Sequence, residues 1–402
     1  MNPASPDRRH VTARVYAARA LRDFGDGFAA VLLPAYLVAT GLGAFEIGVV
    51  ATLALLGSAL TTLGIGFVGA RFDQRALLIG ACGLTIATGL AFAAAGGLAM
   101  VLPIAFFGTI NPSAGSVSIF APLEQALLSR VVKDSERTRM FARYSLVGAL
   151  GALASGSPDA LARLGVSQMT AFRAMFVAYA GLGLACGLLY ARIPAAPPAA
   201  KGKPVAALGP SRGIVYRLAA LFCVDSLAGG FAVQSLIALW LFSRFDLSLA
   251  AAGLFFFWSG VLSAFSFPVA AWLAERVGLV NTMVFTHIPA SVCLILAAVS
   301  PSLEVALALL LVRSALSQMD VPARSSYVMA VVTPAERPAA ASVTAVPRSL
   351  ASAAAPAMAG ALFETGHAAW PLVICGVLKI LYDFALLWMF RNVRPPEETT
   401  DR

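Results

Sequence analysis

Runs of mostly apolar residues, each long enough to cross a bilayer, recur near 17–40, 45–70, 76–96, 98–131, 139–157, 171–193, 214–243, 249–274, 280–299, 302–332, 338–363 and 369–390. A membrane helix needs about 20 such residues to span the hydrocarbon core. Twelve runs in one chain leave little room for a water-soluble fold. Composition agrees, because 59% of the 402 residues are hydrophobic and only 12% are charged, against roughly 45–50% and about 25% in soluble domains. The runs carry Ala and Leu without period-two alternation, which predicts helices and argues against an outer-membrane barrel. The expected fold class is an all-α membrane protein.

Charge sets the expected orientation. With both termini in the cytoplasm, nineteen of the 29 Lys and Arg residues, from Arg8, Arg9 and Arg14 to Arg394 and Arg402, fall on the cytoplasmic side. Arg163, Arg173 and Arg244 fall on the other side. This is the positive-inside pattern, and it accounts for the net charge of +9 without nucleic acid as a partner. The opening MNPASPDRRHVTARVYAARALRDFGDG places charges where a cleavable signal would be apolar. Five scattered cysteines, Cys82, Cys186, Cys223, Cys293 and Cys375, form no C-x-x-C and read as buried packing residues rather than a disulfide framework.

The chain repeats itself. The stretch AAPPAAKGKPVAALGPSRG at 195–213 reads as a flexible cytoplasmic linker between a bundle at 1–194 and a bundle at 214–402. Across it, Pro122/Pro322, Val131/Val331, Val132/Val332, Glu136/Glu336 and Arg137/Arg337 match at an offset of 200. Asp23/Asp225, Gly27/Gly229 and Asp73/Glu275 match at an offset of 202. A duplicated six-helix unit explains both series.

Twelve spans, a central basic linker and an acidic loop motif after spans 2 and 8 resemble the major facilitator superfamily over essentially the whole chain. The family's loop signature, roughly G-x-x-x-D-R-x-G-R, is degenerate in both copies. The first reads Gly69-Ala-Arg-Phe-Asp73-Gln-Arg75, and the second reads Ala271-Trp-Leu-Ala-Glu275-Arg276-Val-Gly278. The resemblance implies two pseudo-symmetric six-helix bundles and a secondary active transporter that works by alternating access. It also implies gating loops at Asp73, Arg75, Glu275 and Arg276, a central cavity lined by spans 1, 4, 7 and 10, and residence in the inner (plasma) membrane of a bacterium. A small-molecule substrate, protons and the lipid bilayer are the expected partners, with a monomeric state and no cofactor.

Charges inside the greasy spans are the candidate site. A charge at mid-bilayer costs at least ~2.5–3.5 kcal/mol, so it must face a wet cavity or an opposite charge. Arg313, Ser317, Asp320, Arg324 and Tyr327 fall in one ~80° stripe if 302–332 is a single helix, which Pro322 should bend. Arg19, Arg22, Asp23 and Asp26 share one ~100° arc of span 1. Asp23 is placed to pair with the two arginines, which otherwise snorkel toward the headgroups. Glu124, Asp225 and Arg348 add one charge each to spans 4, 7 and 11. Asp26 has no close partner in sequence and is the leading proton site, followed by Glu124 and Asp225. Arg313 and Arg348 have no acid at i±3 or i±4, so each needs an acid from another helix or an anionic substrate. Lys379 and Asp383, four apart, are expected to neutralise each other.

The function expected is proton-coupled efflux of a drug, toxic compound or metalloid. The segment MDVPARSSYVMAVVTPAER is similar to bacterial superfamily members that include trivalent-arsenic and antimonial exporters. Gly148, Gly151, Gly156 and Pro158 loosely resemble the antiporter motif of span 5. Passive facilitation, proton-coupled uptake and a transporter-fold sensor without transport are the alternatives. An enzyme is not expected. His10, His287 and His367 form no H-E-x-x-H and lie near no helical carboxylate cluster, and no G-x-x-x-x-G-K-[ST] loop is present.

Overall fold

The apolar runs fold as helices, and their breaks fall where the sequence loses apolarity or a capping side chain intervenes. The computed structural model describes residues 6–68, 72–112, 119–131, 144, 147–148, 167–194, 208–333, 336–391 and 393. Among the described residues there are fourteen long helices and no strand. They are α1 (Pro6–Ala39), α2 (Ala44–Val68), α3 (Gln74–Ala94), α4 (Leu98–Phe107), α5 (Phe120–Val131), α6 (Gln168–Ala191) and α7 (Arg212–Phe231). The chain continues with α8 (Gln234–Phe245), α9 (Leu249–Val277), α10 (Leu279–Val299), α11 (Leu303–Leu316), α12 (Asp320–Ala330), α13 (Arg337–Glu364) and α14 (Trp370–Phe390). Most of span 5, including Gly151, Gly156 and Pro158, and most of the linker lie outside the described residues.

Eight stretches among the described residues are long and apolar enough to cross a membrane. Those that fall short are informative. α1 is 34 residues long, but the charges of its inner face dilute its apolarity. α13 carries Arg348 along with Pro347 and Pro356. Span 4 is divided between α4 and α5. The weakest spans by composition are largely those that hold the charges.

Span 10 does not form one continuous helix. α11 ends at Leu316, with Ser317 as its cap, and α12 starts at Asp320. The break therefore precedes Pro322, which sits in the first turn of α12, where its missing N–H leaves no bond unmade. Span 7 is broken too, at Ala232, where φ is −127° and ψ is 40°.

The chain forms two units, Met1–Lys201 with Gln234–Phe257, and Gly202–Val233 with Trp258–Arg402. The division is not a simple cut at the linker, because α8 and the first turns of α9 belong with the first unit. Within unit 1, α3 lies along α6, α1 packs on α6 and α8, and α2 packs on α4. Its core includes Val15, Leu78, Phe120, Leu128 and Tyr190. Within unit 2, α13 runs along α7, and α14 packs on both α10 and α7. Its core includes Phe222, Met283, Tyr327, Tyr382 and Phe390. The α7–α13 approach depends on Gly230, where a Cβ would stand 2.3 Å from the Ser352 carbonyl oxygen. Large apolar side chains such as Phe265, Phe285 and Trp388 are exposed, as expected for surfaces solvated by lipid.

Candidate functional site

Each unit buries its own cluster of charges. In unit 1, α1 brings Arg19, Arg22, Asp23 and Asp26 to its inner face, and α5 brings Glu124, whose exposure is 0%. Arg22 Nη1 lies 3.0 Å from Glu124 Oε1. The hydroxyls of Tyr144 and Tyr190 also donate to Glu124, so this carboxylate collects three donors. Arg19 Nε lies 2.8 Å from Asp23 Oδ2, and Arg22 Nη2 lies 3.6 Å from Asp23 Oδ1. The two guanidiniums also sit 4.7 Å from the Tyr144 ring and 4.6 Å from the Phe120 ring. Neither arginine snorkels to the surface. Both are turned inward, and the pairing with Asp23 holds them there. Gly148 closes this site from span 5, since a Cβ there would fall 2.3 Å from Asp23 Oδ2 and 2.5 Å from Arg19 Nε.

Asp26 is held differently. The Tyr179 hydroxyl donates to its Oδ1 at 3.0 Å, and among the described residues no cation lies within 4.0 Å of it. Behind Tyr179, the Thr109 hydroxyl sits 3.2 Å away and donates in turn to Thr85 at 3.1 Å. A chain of hydroxyls can reverse its direction, because each is both donor and acceptor. It can therefore serve Asp26 with or without a proton on the carboxyl group. Beside this chain is a small cavity lined by Arg22, Tyr179, Cys82 and Cys186.

In unit 2 the centre is Asp225 on α7. Arg324 Nη1 lies 2.9 Å from its Oδ2, and Lys379 Nζ lies 2.6 Å from its Oδ1. Arg324 also reaches Asp320, one turn earlier on α12, at 3.0 Å. Lys379 does not pair with Asp383, contrary to what the spacing suggested, because tertiary neighbours compete better. Asp383 instead faces His287, whose Nδ1 is 3.0 Å from both carboxylate oxygens. His287 Nε2 lies 3.1 Å from Lys379 Nζ and 3.8 Å from Asp225 Oδ1. An ammonium can only donate, so Nε2 accepts and Nδ1–H is given to Asp383. That assignment makes the imidazole neutral. His287 was not legible in the sequence, since its run VFTHIPASVC contains no charge and its partners come from α7 and α14.

The clusters are related by the repeat, with one sign exchanged. Asp23 corresponds to Asp225, and Glu124 stands where unit 2 has Arg324. In unit 1 the pairing across the two helices runs from Arg22 to Glu124, and in unit 2 from Asp225 to Arg324.

The other sequence-derived candidates are placed as follows. Arg348 Nε donates to the Ser226 hydroxyl at 2.9 Å, and its guanidinium lies 5.9 Å from the Phe222 ring. The guanidinium of Arg324 lies 5.6 Å from that same ring. Arg313 is half-buried, with no ion pair or side-chain hydrogen bond among the described residues. Tyr327 is fully buried in the apolar core of unit 2, and its hydroxyl donates to the Val393 carbonyl at 3.0 Å. It packs in that core rather than lining a wet stripe, although it shares α12 with Asp320 and Arg324. Asp73 caps α3, accepting from the Arg75 N–H at 3.3 Å. Arg75 donates to the Ala191 carbonyl at 2.6 Å, and Arg14 donates to that of Arg192, two cations at the negative end of α6. Glu275 and Arg276 are exposed, and Arg276 stacks 4.1 Å from the Trp272 ring.

One further carboxylate was visible only as a repeat match. Glu336 accepts from Ser211 Oγ at 2.8 Å, Thr333 Oγ1 at 2.6 Å and the Gly209 N–H at 2.5 Å. It clasps the start of α7 to the loop before α13. These hydrogen bonds, led by those of Thr333 and Ser211, hold its carboxyl well below the usual range, at about 2.

Comparison with known proteins agrees with this architecture. The family model described as Major Facilitator Superfamily matches residues 15–242 and 218–402. The uncharacterized membrane protein YJR124C of Saccharomyces cerevisiae is 23% identical over 431 residues, covering 97% of this chain and 95% of that protein. A crystal structure of a point mutant of the nucleoside transporter NupG superposes with a TM-score of 0.76 at 14% identity, covering 94% of this chain and 100% of that one. A bacterial homologue of the human lysosomal transporter Spinster, inward-facing and unoccupied, gives 0.73 at 14% identity, covering 97% and 99%. At such identities the structural likeness concerns the fold.

Proposed function

This chain belongs to the Major Facilitator Superfamily and is a multi-pass membrane transporter, not an enzyme; on that premise we propose that it couples the movement of a small solute to protons by alternating access. The observation that carries the coupling is Asp26, a carboxyl group buried within a membrane helix whose hydrogen bond comes from a hydroxyl rather than from a cation. Such a group is far cheaper to hold neutral than ionised. A proton loaded there on one side of the membrane and released on the other would be the coupling event. Alternating access between the two repeats supplies the two exposures.

Export of a toxic compound or metalloid remains the direction favoured by the 319–337 resemblance. The bacterial inner membrane, both termini in the cytoplasm and a monomeric state belong to the same reading. The gathering of Arg14, Arg75 and Arg192 at one end of unit 1 supports that orientation.

A growth screen against a substrate panel in a sensitised bacterial host identifies ligand and direction. Purified protein in liposomes with an internal pH dye then tests coupling. Asp26→Asn is expected to fold, to elute as a single species and to lose proton movement. Wild-type flux by that variant removes Asp26 from the mechanism.

A further inference from the structure

Among the described residues, the charges within the spans of each unit leave a surplus, of opposite sign in the two units. In unit 1 the described charges Arg19 and Arg22 face Asp23, Asp26 and Glu124, one carboxyl group more than cations, with Arg143 of span 5 outside the described residues. In unit 2, Arg313, Arg324, Arg348 and Lys379 face Asp225, Asp320 and Asp383, with His287 neutral, so there is one cation more than there are carboxylates. The three carboxylates of unit 2 are already engaged by Arg324, Lys379 and His287. Among the described residues, Arg313 and Arg348 have no carboxylate within 4.0 Å. Of the two ways to satisfy them, an acid from another helix or an anion from outside, the first is not met within unit 2.

Arg348 is the better defined of the two. Its Nε is committed to Ser226, and the Phe222 ring flanks the guanidinium. The tether at Nε leaves the two Nη groups as its remaining donors. Its two Nη atoms have no partner among the described residues, and Arg348 is only half-buried. A guanidinium anchored through Nε presents its end-on pair of N–H donors as a fork that fits two oxygens of one carboxylate or phosphate.

We propose that the transported solute is a small oxyanion, carrying a carboxylate or a phosphate, held end-on by the two Nη groups of Arg348. This rests on the reading of the chain as a transporter. It deepens that reading by naming the chemistry of the cargo. The anion offsets the surplus of the described charges in unit 2, as a proton on Asp26 offsets that of the described charges in unit 1. Arg313 contributes the remaining positive potential.

The test is thermal unfolding of the full-length purified protein with sodium benzoate, inorganic phosphate and methanesulfonate, at ionic strength matched with chloride. Tetraphenylphosphonium chloride is the cationic arm. At least one oxyanion is expected to raise the apparent midpoint by about 2–4 °C, and the arm that responds separates carboxylate from phosphate chemistry. R348Q is expected to lose the shift and to unfold no earlier than wild type, because it removes a charge without a partner. R348K is expected to keep part of the shift.

No stabilisation by any of the three oxyanions, stabilisation by the cation alone, or an R348Q protein that unfolds earlier yet still responds to anions would each overturn the proposal. The last outcome would make Arg348 a tether for Ser226. D26N is expected to keep the anion response. If wild-type liposomes move no protons while the R348Q-sensitive shift stands, proton coupling fails and the oxyanion site survives.

Discussion

Asp225 is the carboxylate on which unit 2 converges, and removing its charge should expose how its neighbours depend on it. In Asp225→Asn, Arg324 keeps Asp320 at 3.0 Å, so one of its two partners survives. Lys379 fares worse. Its other polar neighbour is the ring of His287 at 3.1 Å, and Asp383 already accepts from that ring. The ammonium is left buried without a counter-charge. Breaking a buried pair from one side costs roughly 3–5 kcal/mol, whereas replacing both partners together is often neutral or better. Asp225→Asn should therefore destabilise by ~3 kcal/mol or more, with the lower end set by the surviving Arg324–Asp320 pair. Lys379→Met alone should cost less, because Asp225 retains Arg324 at 2.9 Å. The double variant should recover most of the loss, giving a coupling energy of ~2 kcal/mol. The assay is the apparent unfolding midpoint of all four proteins of the cycle, followed by fluorescence-detected size exclusion on heated samples. Additive losses in the double variant would mean that Lys379 does not depend on Asp225, and the account of the unit 2 cluster would fall.

Gly148→Ala is expected to destabilise by about 1–3 kcal/mol, because the new Cβ meets the Arg19–Asp23 pair at 2.3–2.5 Å; an unchanged unfolding midpoint would contradict the close approach. Glu336 links stability to pH, since its carboxyl is depressed to about 2 in the folded chain from about 4.3 when unfolded. Its contribution is therefore fully present above the unfolded value and lost as pH falls through the folded one. The wild-type unfolding midpoint should decline more steeply between those pH values than that of Glu336→Gln, and parallel profiles would show that the clasp to Ser211 and Thr333 does not contribute. Asp26→Asn, tested for proton flux as above, completes the set.

What the sequence made legible and what it hid divide along one physical line. Apolar runs, their positive-inside flanks and the offsets of 200 and 202 residues are local or periodic properties. They led directly to an all-helical, duplicated membrane protein. Partnerships between helices are not local. Asp320 and Arg324, four apart, do pair because both lie on α12, whereas the pairing expected of Lys379 and Asp383 fails because Asp225 and His287 approach from α7 and α10. The stripe drawn from Arg313 to Tyr327 is likewise divided by tertiary packing, since Asp320 and Arg324 join the cluster around Asp225 while Tyr327 joins the apolar core. The exchange at 124 and 324 joins the two kinds of information. The repeat places these residues at equivalent positions, yet one is an acid and the other a base, and each still finds an opposite charge on the first helix of its own half. Glu124 can do so only because unit 1 supplies Arg22 one residue before Asp23, where the matching position in unit 2 is Val224. Val224 cannot answer a second base, so Arg324 turns to Asp225 itself, and the cations added at Arg313 and Arg348 are left without acids. Among the described residues, the opposite surpluses of the two halves thus trace to a few substitutions between matched positions.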